Sequence, residues 1–428
     1  MEIEEIKGQA VYQKEKKTPC FGLGFLCGLL LTLAVTGIVL VAFGAGDDKG
    51  KTKPNTPEEI LQEIQVGEGS AISYDLVSKL QTLEYIVHKY YYKDDITAQQ
   101  LDDGMYKGLM EALGDPYSQY YTAEEYEDLM ESTEGVYYGI GAYVTTDKET
   151  GYPKISSVIP GTPAEEAKLR ANDILYKVDG ESTDGLSLEE TVALIKGAEN
   201  TSVVLTIIRD QKELEITAVR RKVETPTVEH EMLDNGMGYL QILEFDEVTM
   251  DQFRDAYKSL QDANMQGLIL DLRANPGGSM GSVVEIARML LPEGLVVYTE
   301  DKNGRCREYE CDGSNEINIP MVVLIDMNSA SAAEILAGAI QDYGKGTLIG
   351  TTTFGKGIVQ QVMPLKDGSA VKITVSSYYT PKGKNIHGIG IEPDIEVEFD
   401  GEAYYDSENS YDNQLEKAKE VLAEMMNK

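Results

Sequence analysis

A chain of 428 residues carrying 73 acidic against 38 basic side chains has a formal charge of −35. Its length exceeds what a single hydrophobic core serves, so two or three folded units are expected. The acidity argues against nucleic acid as a partner, because neutralising phosphates takes clustered Lys and Arg that the sequence lacks, and it suits a soluble surface instead.

No charged residue occurs from Thr18 to Gly46, and "FGLGFLCGLLLTLAVTGIVLVAF" is long enough to cross a hydrocarbon core as a helix. A single-pass anchor is expected over residues 20–45. Lys14, Lys16 and Lys17 precede it and Asp47 and Asp48 follow, so tail 1–19 should stay cytoplasmic at the cell membrane while the body is exported. The alternative is a cleaved signal peptide, for which "AFGAG" offers small residues, although the apolar run exceeds the usual ~7–15-residue core of such a leader. Residues 46–73 are polar, contain Pro and Gly, and read as a tether.

Over 74–134 the spacing of Leu76, Leu80, Leu83, Ile86 and Val87 predicts amphipathic helices, interrupted by "GDPYSQYY". The tyrosine-rich face is expected to pack in a core or between domains. From 135 to 222 the character changes to short strands, a short capped helix "GTPAEEAKL", and a second helix opened by a Ser187–Glu190 capping box. This order, with the wording "GIGA … SVIPGTPAEEAKLRANDILYKVDG", resembles a PDZ domain of bacterial exported proteases. Asn172 stands where such domains usually carry Gly, which Asn replaces because it tolerates left-handed backbone. The resemblance implies binding by strand addition, with Tyr138, Gly139, Ile140, Gly141 and Ala142 receiving a terminal carboxylate.

Over 223–400 short apolar strands alternate with amphipathic helices, predicting an α/β domain on a largely parallel sheet. Residues 401–428 read as a polar, helical tail. Cys306 and Cys311 flank "REYE" in an expected surface hairpin, where a disulfide is one of two outcomes left open; Cys20 and Cys27 read as apolar filler in the span.

Two strand ends carry chemistry. "LILDLRANPGGS" ends in Gly277–Gly278, which permits close approach of main-chain N–H groups to a ligand oxygen, or simply a tight turn. "MVVLIDMNSASAAEI" puts Ser329 and Ser331 at a helix N-terminus, where developing negative charge is favoured and where an N-cap is the plain alternative. Of the bases, His88 and His230 neighbour no matching acid motif, and His387 stays open. No paired His or Cys spacing suggests a metal. Lys356, in "FGKGIVQ", sits between two glycines among apolar neighbours, where poor hydration favours the neutral amine and a base role.

"NSASAAEI", "TTFGKGIVQ", "DLRANPGG" and "GDPYSQYY" together resemble the C-terminal processing peptidases, or tail-specific proteases, over nearly everything after the tether. The resemblance implies a PDZ domain joined to a protease core of ClpP/crotonase-like α/β fold, with Ser331 as nucleophile, Lys356 as base and Gln360 orienting the lysine. It further implies an oxyanion hole from Gly277, Gly278 and Ala332, protein substrates with accessible C-terminal tails, and no cofactor. Ala333 departs from the commoner third serine of the motif. Four strand residues span roughly 13 Å, so the Gly355–Gly357 segment should bend for Lys356 and Gln360 to meet. A catalytically silent peptide-binding scaffold is the rival, disfavoured because Ser331, Lys356 and Gln360 are all present; self-association is left open.

Overall fold

The computed structural model describes residues 38–39, 73–93, 95–406 and 411–427. Most of the expected anchor lies outside these residues. Ile38–Val39, its part that is described, is a two-residue strand in parallel register with Gln360 and Gln361, so here the backbone is satisfied by a neighbouring strand instead of a helix. Among the described residues no helix is long and apolar enough to cross a membrane.

Helix α1 (Tyr74–Tyr90) is opened by Ser73, whose side chain accepts from Leu76 N–H. None of its residues is buried, and Leu76, Leu83 and Ile86 are exposed. The expected packing of its apolar and tyrosine-rich face is therefore not made within the described chain. Helix α2 (Ala98–Glu111) starts at a Thr97–Gln100 capping box. The chain then turns through "GDPYS" into strand β1 (Gln119–Tyr121) and α3 (Ala123–Glu134), which ends on left-handed Gly135.

Strand β2 (Val136–Gly139) leads into a six-stranded antiparallel sheet: β3 (Ala142–Thr146), β4 (Pro153–Val158), helix α4 (Pro163–Glu166), β5 (Ile174–Val178), helix α5 (Leu188–Ile195), β6 (Ser202–Arg209) and β7 (Lys212–Val219), with the two-residue strand Glu181–Ser182 paired to β5. Ile155, Leu175, Leu205 and Ile207 fill its core, with Ile195 packing from α5. Asn172 has φ +71, as its left-handed position requires. The chain leaves by β8 (Arg221–Glu224), antiparallel to β2, so entry and exit form one ribbon.

Beyond this ribbon the chain builds two sheets where one was expected. The first holds β9 (Val228–Met232), β10 (Met237–Ile242), β11 (Gly267–Asp271), β14 (Met321–Ile325), β15 (Thr347–Gly350) and β18 (Ile395–Glu396), all parallel except β9. Strands β11 and β14 are buried at every residue, as a parallel sheet covered on both faces demands. Leu268, Leu270, Val323 and Ile325 point to the face covered by α6 (Thr249–Asp262), α7 (Met280–Leu290) and α8 (Ala332–Tyr343). Ile269, Val322 and Leu324, out of phase by one, meet Ala418 and Leu422 of α9 (Asn413–Met426). The expected C-terminal tail is thus half of a core, and Arg273 ties it down by bonding Asp271 at 2.6 Å and Asp412 at 2.9 Å.

The second sheet is antiparallel through β12 (Gly294–Asp301), β13 (Cys306–Cys311), β16 (Ile358–Pro364) and β17 (Ala370–Tyr379), with β1 joined to β17 and Ile38–Val39 added parallel to β16. Cys306 and Cys311 are free thiols at opposite ends of β13, five residues or roughly 17 Å apart along a strand, which no disulfide bridges. The outcome left open by the sequence is decided by the extended strand, which separates what a turn would have joined.

Candidate active site

Two adjacent strands of the parallel sheet deliver the first elements. After β14 the chain turns through Asp326, whose carboxylate accepts from the N–H of Asn328, Ser329 and, across the turn, Ala274. Ser329 is fully buried, its hydroxyl donating to the Leu272 carbonyl at 2.8 Å and accepting from Asp326 N–H, so it welds the two strand ends together. Ser331 follows at the N-cap of α8 with φ 53 and ψ −113, a backbone region that non-glycine residues adopt only under local strain. Its N–H donates to Glu334 and its carbonyl accepts from the Tyr378 hydroxyl at 3.0 Å.

The Gly277–Gly278 turn after β11 lies directly against this serine. A Cβ on Gly277 would fall 2.7 Å from Ser331 Cβ and 2.9 Å from Ala332 N, and one on Gly278 would fall 2.3 Å from the Phe245 carbonyl oxygen. Of the three expected oxyanion donors, Gly277 N–H already bonds Asn275 Oδ1 at 2.8 Å. The N–H groups of Gly278 and Ala332 have no acceptor among the described residues. Gly277 therefore gives close approach, and its two neighbours give unengaged donors.

The second sheet brings Lys356, which is 2 % exposed. Its flanking glycines let the backbone press against the 386–390 loop: a Cβ on Gly357 would meet His387 N at 2.6 Å, and Gly355, with φ +87, would meet Gly390 N at 2.9 Å. Burial, helped by the like charge of Lys372, pushes the amine down to about 7, while Glu334 and Asp115 oppose the shift. The Tyr117 ring covers it, centred 4.6 Å from Nζ. Lys356 precedes β16, which starts only at Ile358 and shifts register between Val359 and Gln360, so the Lys356–Gln360 stretch is not an ideal strand. Gln360 is buried, with Nε2 donating to Thr374 Oγ1 at 3.2 Å.

The three histidines, His387 among them, are exposed; His387 contributes its backbone to the wall behind Gly357. Among the described residues no cluster of His, Cys, Asp or Glu is arranged to hold a metal ion.

Sequence reasoning missed four contributors. Glu334, fully buried, accepts from the N–H of Ser331, Gly355 and Lys356 and from the Thr353 hydroxyl, tying both chemical strands to one carboxylate. Asp115 and Tyr117 meet Lys356 from a segment far away in sequence, and Thr374 meets Gln360 as its cross-strand partner on β17. Only the motif "GDPYSQYY" signalled the first two, and it assigned them no role.

In the smaller domain, Tyr138 and Gly139 of the expected carboxylate loop are paired in β2 with Lys222 and Arg221. Ile140 and Gly141 make the turn itself, and Ala142 opens β3 beside α5. Gly141 has φ +81, and a Cβ there would lie 2.3 Å from Thr162 Cβ. The Thr162 hydroxyl bonds the Ile159 carbonyl at 2.5 Å instead of capping α4.

Residues 154–209 match the family model of the PDZ domain, and residues 236–397 match that of peptidase family S41. The carboxy-terminal processing protease CtpA of Bacillus subtilis (strain 168) is 37 % identical over 373 residues, covering 87 % of this chain and 76 % of the relative. The chain belongs to peptidase family S41. The carboxyl-terminal-processing protease of Synechocystis sp. is 36 % identical over 296 residues, 68 % of this chain and 69 % of the relative. A solved structure of a photosystem II D1 C-terminal processing protease is 31 % identical, covers 74 % of this chain and 86 % of its own, and superposes with a TM-score of 0.43. This S41 chain is a serine-type peptidase of the C-terminal processing group with a PDZ domain.

Proposed function

We propose that the protein is a membrane-anchored, exported serine endopeptidase that takes protein C-termini in its PDZ domain and cleaves through a Ser331–Lys356 acyl-enzyme mechanism. The burial that holds the Lys356 amine at about 7 carries this proposal, because it makes a neutral lysine available at ordinary pH. In the proposed reaction neutral Lys356 takes the Ser331 hydroxyl proton as Oγ attacks the scissile carbonyl. The oxyanion is met by the N–H groups of Gly278 and Ala332, with Gly277 allowing the approach. Lysine then protonates the departing amine, accepts a proton from water attacking the ester, and returns it to Ser331 Oγ as the ester C–O bond breaks and the acid product leaves. No cofactor enters these steps.

A fluorophosphonate probe should label Ser331 and no other residue, and Ser331→Ala should abolish labelling and peptide cleavage together. Cleavage retained by Ser331→Ala would overturn the assignment, and an unlabelled, inactive wild type would favour the peptide-binding scaffold. The anchor is supported by the uncharged run from Thr18 to Gly46 and the lysines before it. Protease added to intact cells should release the body, and a body protected inside the cell would refute the topology. The PDZ reading is supported by the tight Gly141 turn. Peptides with a free C-terminus should bind more tightly than their amides, and equal affinity would exclude carboxylate capture.

A further inference from the structure

The "GDPYS" segment reaches the catalytic sheet through a polar chain with a fixed direction. Burial works against the charge of Asp115, but bonds from the Ser118 and Thr374 hydroxyls hold its carboxyl below the usual range, so it is an ionised, acceptor-only group. Its Oδ2 accepts from Ser118 Oγ at 2.5 Å and from Thr374 Oγ1 at 2.6 Å. A hydroxyl has one hydrogen, and Thr374 directs it to Asp115. Toward Gln360 the Thr374 oxygen can then only accept, so Gln360 must turn its NH2 end to Thr374, as the 3.2 Å contact shows. That leaves the Gln360 carbonyl oxygen on the opposite end of the amide.

We propose that Asp115, acting through Thr374, is a positioning residue that fixes the Gln360 amide with its oxygen toward Lys356 and thereby aims the lysine lone pair at Ser331. This rests on the Ser331–Lys356 reading above. An amide oxygen takes an N–H of the neutral amine and leaves its lone pair for the serine proton. A reversed amide would present N–H donors that compete for that lone pair. The segment is also held in place by pairing that does not involve Asp115: β1 pairs Gln119 with Lys372, Tyr120 with Val371 and Tyr121 with Ala370. The helical N-terminal region thus completes the polar chain behind the base.

The groups acting on the Lys356 amine are Lys372 from β17, Glu334 from α8, and Asp115 and Tyr117 from the loop before β1. The test uses the full chain, with peptide cleavage and probe labelling followed against pH. Thr374→Val keeps the shape and the Asp115 charge but breaks the relay, so kcat should fall roughly 10–100-fold, with KM and the acidic limb of the profile unchanged. Thr374→Ser restores the hydroxyl and should recover most of the rate. Asp115→Asn should lower kcat and move the acidic limb to lower pH, because removing a negative charge eases deprotonation of the amine. Wild-type kcat in Thr374→Val, or a Ser variant as slow as Val, overturns the proposal, and Thr374→Val decides the matter if Asp115→Asn does not fold. Should Ser331→Ala and Lys356→Met be inactive while Thr374→Val is normal, only this proposal falls; an active Ser331→Ala removes the dyad reading itself.

Discussion

Replacing Lys356 by Met should kill the enzyme and stabilise the protein at the same time. Lys356 is 2 % exposed, and its amine moves from 10.5 to about 7 on folding, a difference of 3.5. At 1.36 kcal/mol per unit, holding the charged amine in the folded site costs about 5 kcal/mol, a ceiling because relaxation and water entry reduce it. The sign follows from proton counting. Between pH 7 and 10.5 the unfolded chain binds a proton that the folded chain does not, so stability rises with pH across that window and the full cost is present below it. Met fills a similar volume and carries no proton, so Lys356→Met should unfold at higher temperature than wild type at pH 6, with the gap shrinking toward pH 10. Thermal melts of both proteins at several pH values measure this. In parallel, wild-type acylation by a fluorophosphonate or an activated ester should rise with pH through about 7. An ordinary lysine would be neutral in only roughly one molecule in three thousand at pH 7. Lys356→Arg should be inactive because guanidinium does not deprotonate. Substantial Arg activity, a flat wild-type profile from pH 5 to 9, or a Met variant less stable than wild type at pH 6 would refute the reasoning.

Gly277→Ala places a Cβ 2.7 Å from both Ser331 Cβ and the Ala330 carbonyl at φ +103, so kcat should drop by roughly a hundredfold or more in steady-state cleavage assays, with KM little changed. Glu334→Gln replaces an acceptor that takes four donors with a group that presents its own N–H to them. It should slow turnover and cost about 1–3 kcal/mol in denaturant unfolding, since buried donors lose their partner. Asp246 and Glu244 are both pushed upward, by burial first and for Asp246 by the Glu244 charge. The folded state therefore keeps a proton that the unfolded state releases, and stability falls as pH rises above the carboxylate range. Asp246→Asn should flatten that decline in melts taken from pH 4 to 8, and an unchanged slope would exclude the pair as its source.

The local signals reached a long way because each depends on neighbours along the chain. An apolar strand running into small residues and a helix narrowed the nucleophile to Ser329 or Ser331, with the family resemblance choosing between them, adjacent glycines marked the turn after β11, and two glycines around a lysine marked Lys356 as tightly packed. The Ser187–Glu190 box opens α5 where the pattern put it. Tertiary structure alone decided whatever depends on contacts between remote segments. Thr374 and Asp115 are 259 positions apart, and no periodicity joins them. Alternation of apolar and polar residues does not say which strands share a sheet, so the chain's two excursions into a second, antiparallel sheet, after α7 and again after β15, were invisible. The same ignorance of partners made α1 look like packed core and α9 look like a tail. An amphipathic helix records only that one face avoids water, and what covers that face is set by the rest of the fold. Lys356 illustrates both halves: its glycines are written in the sequence, but the desolvation that lowers its pKa exists only once α8, β16, β17 and the "GDPYS" loop close around one amine.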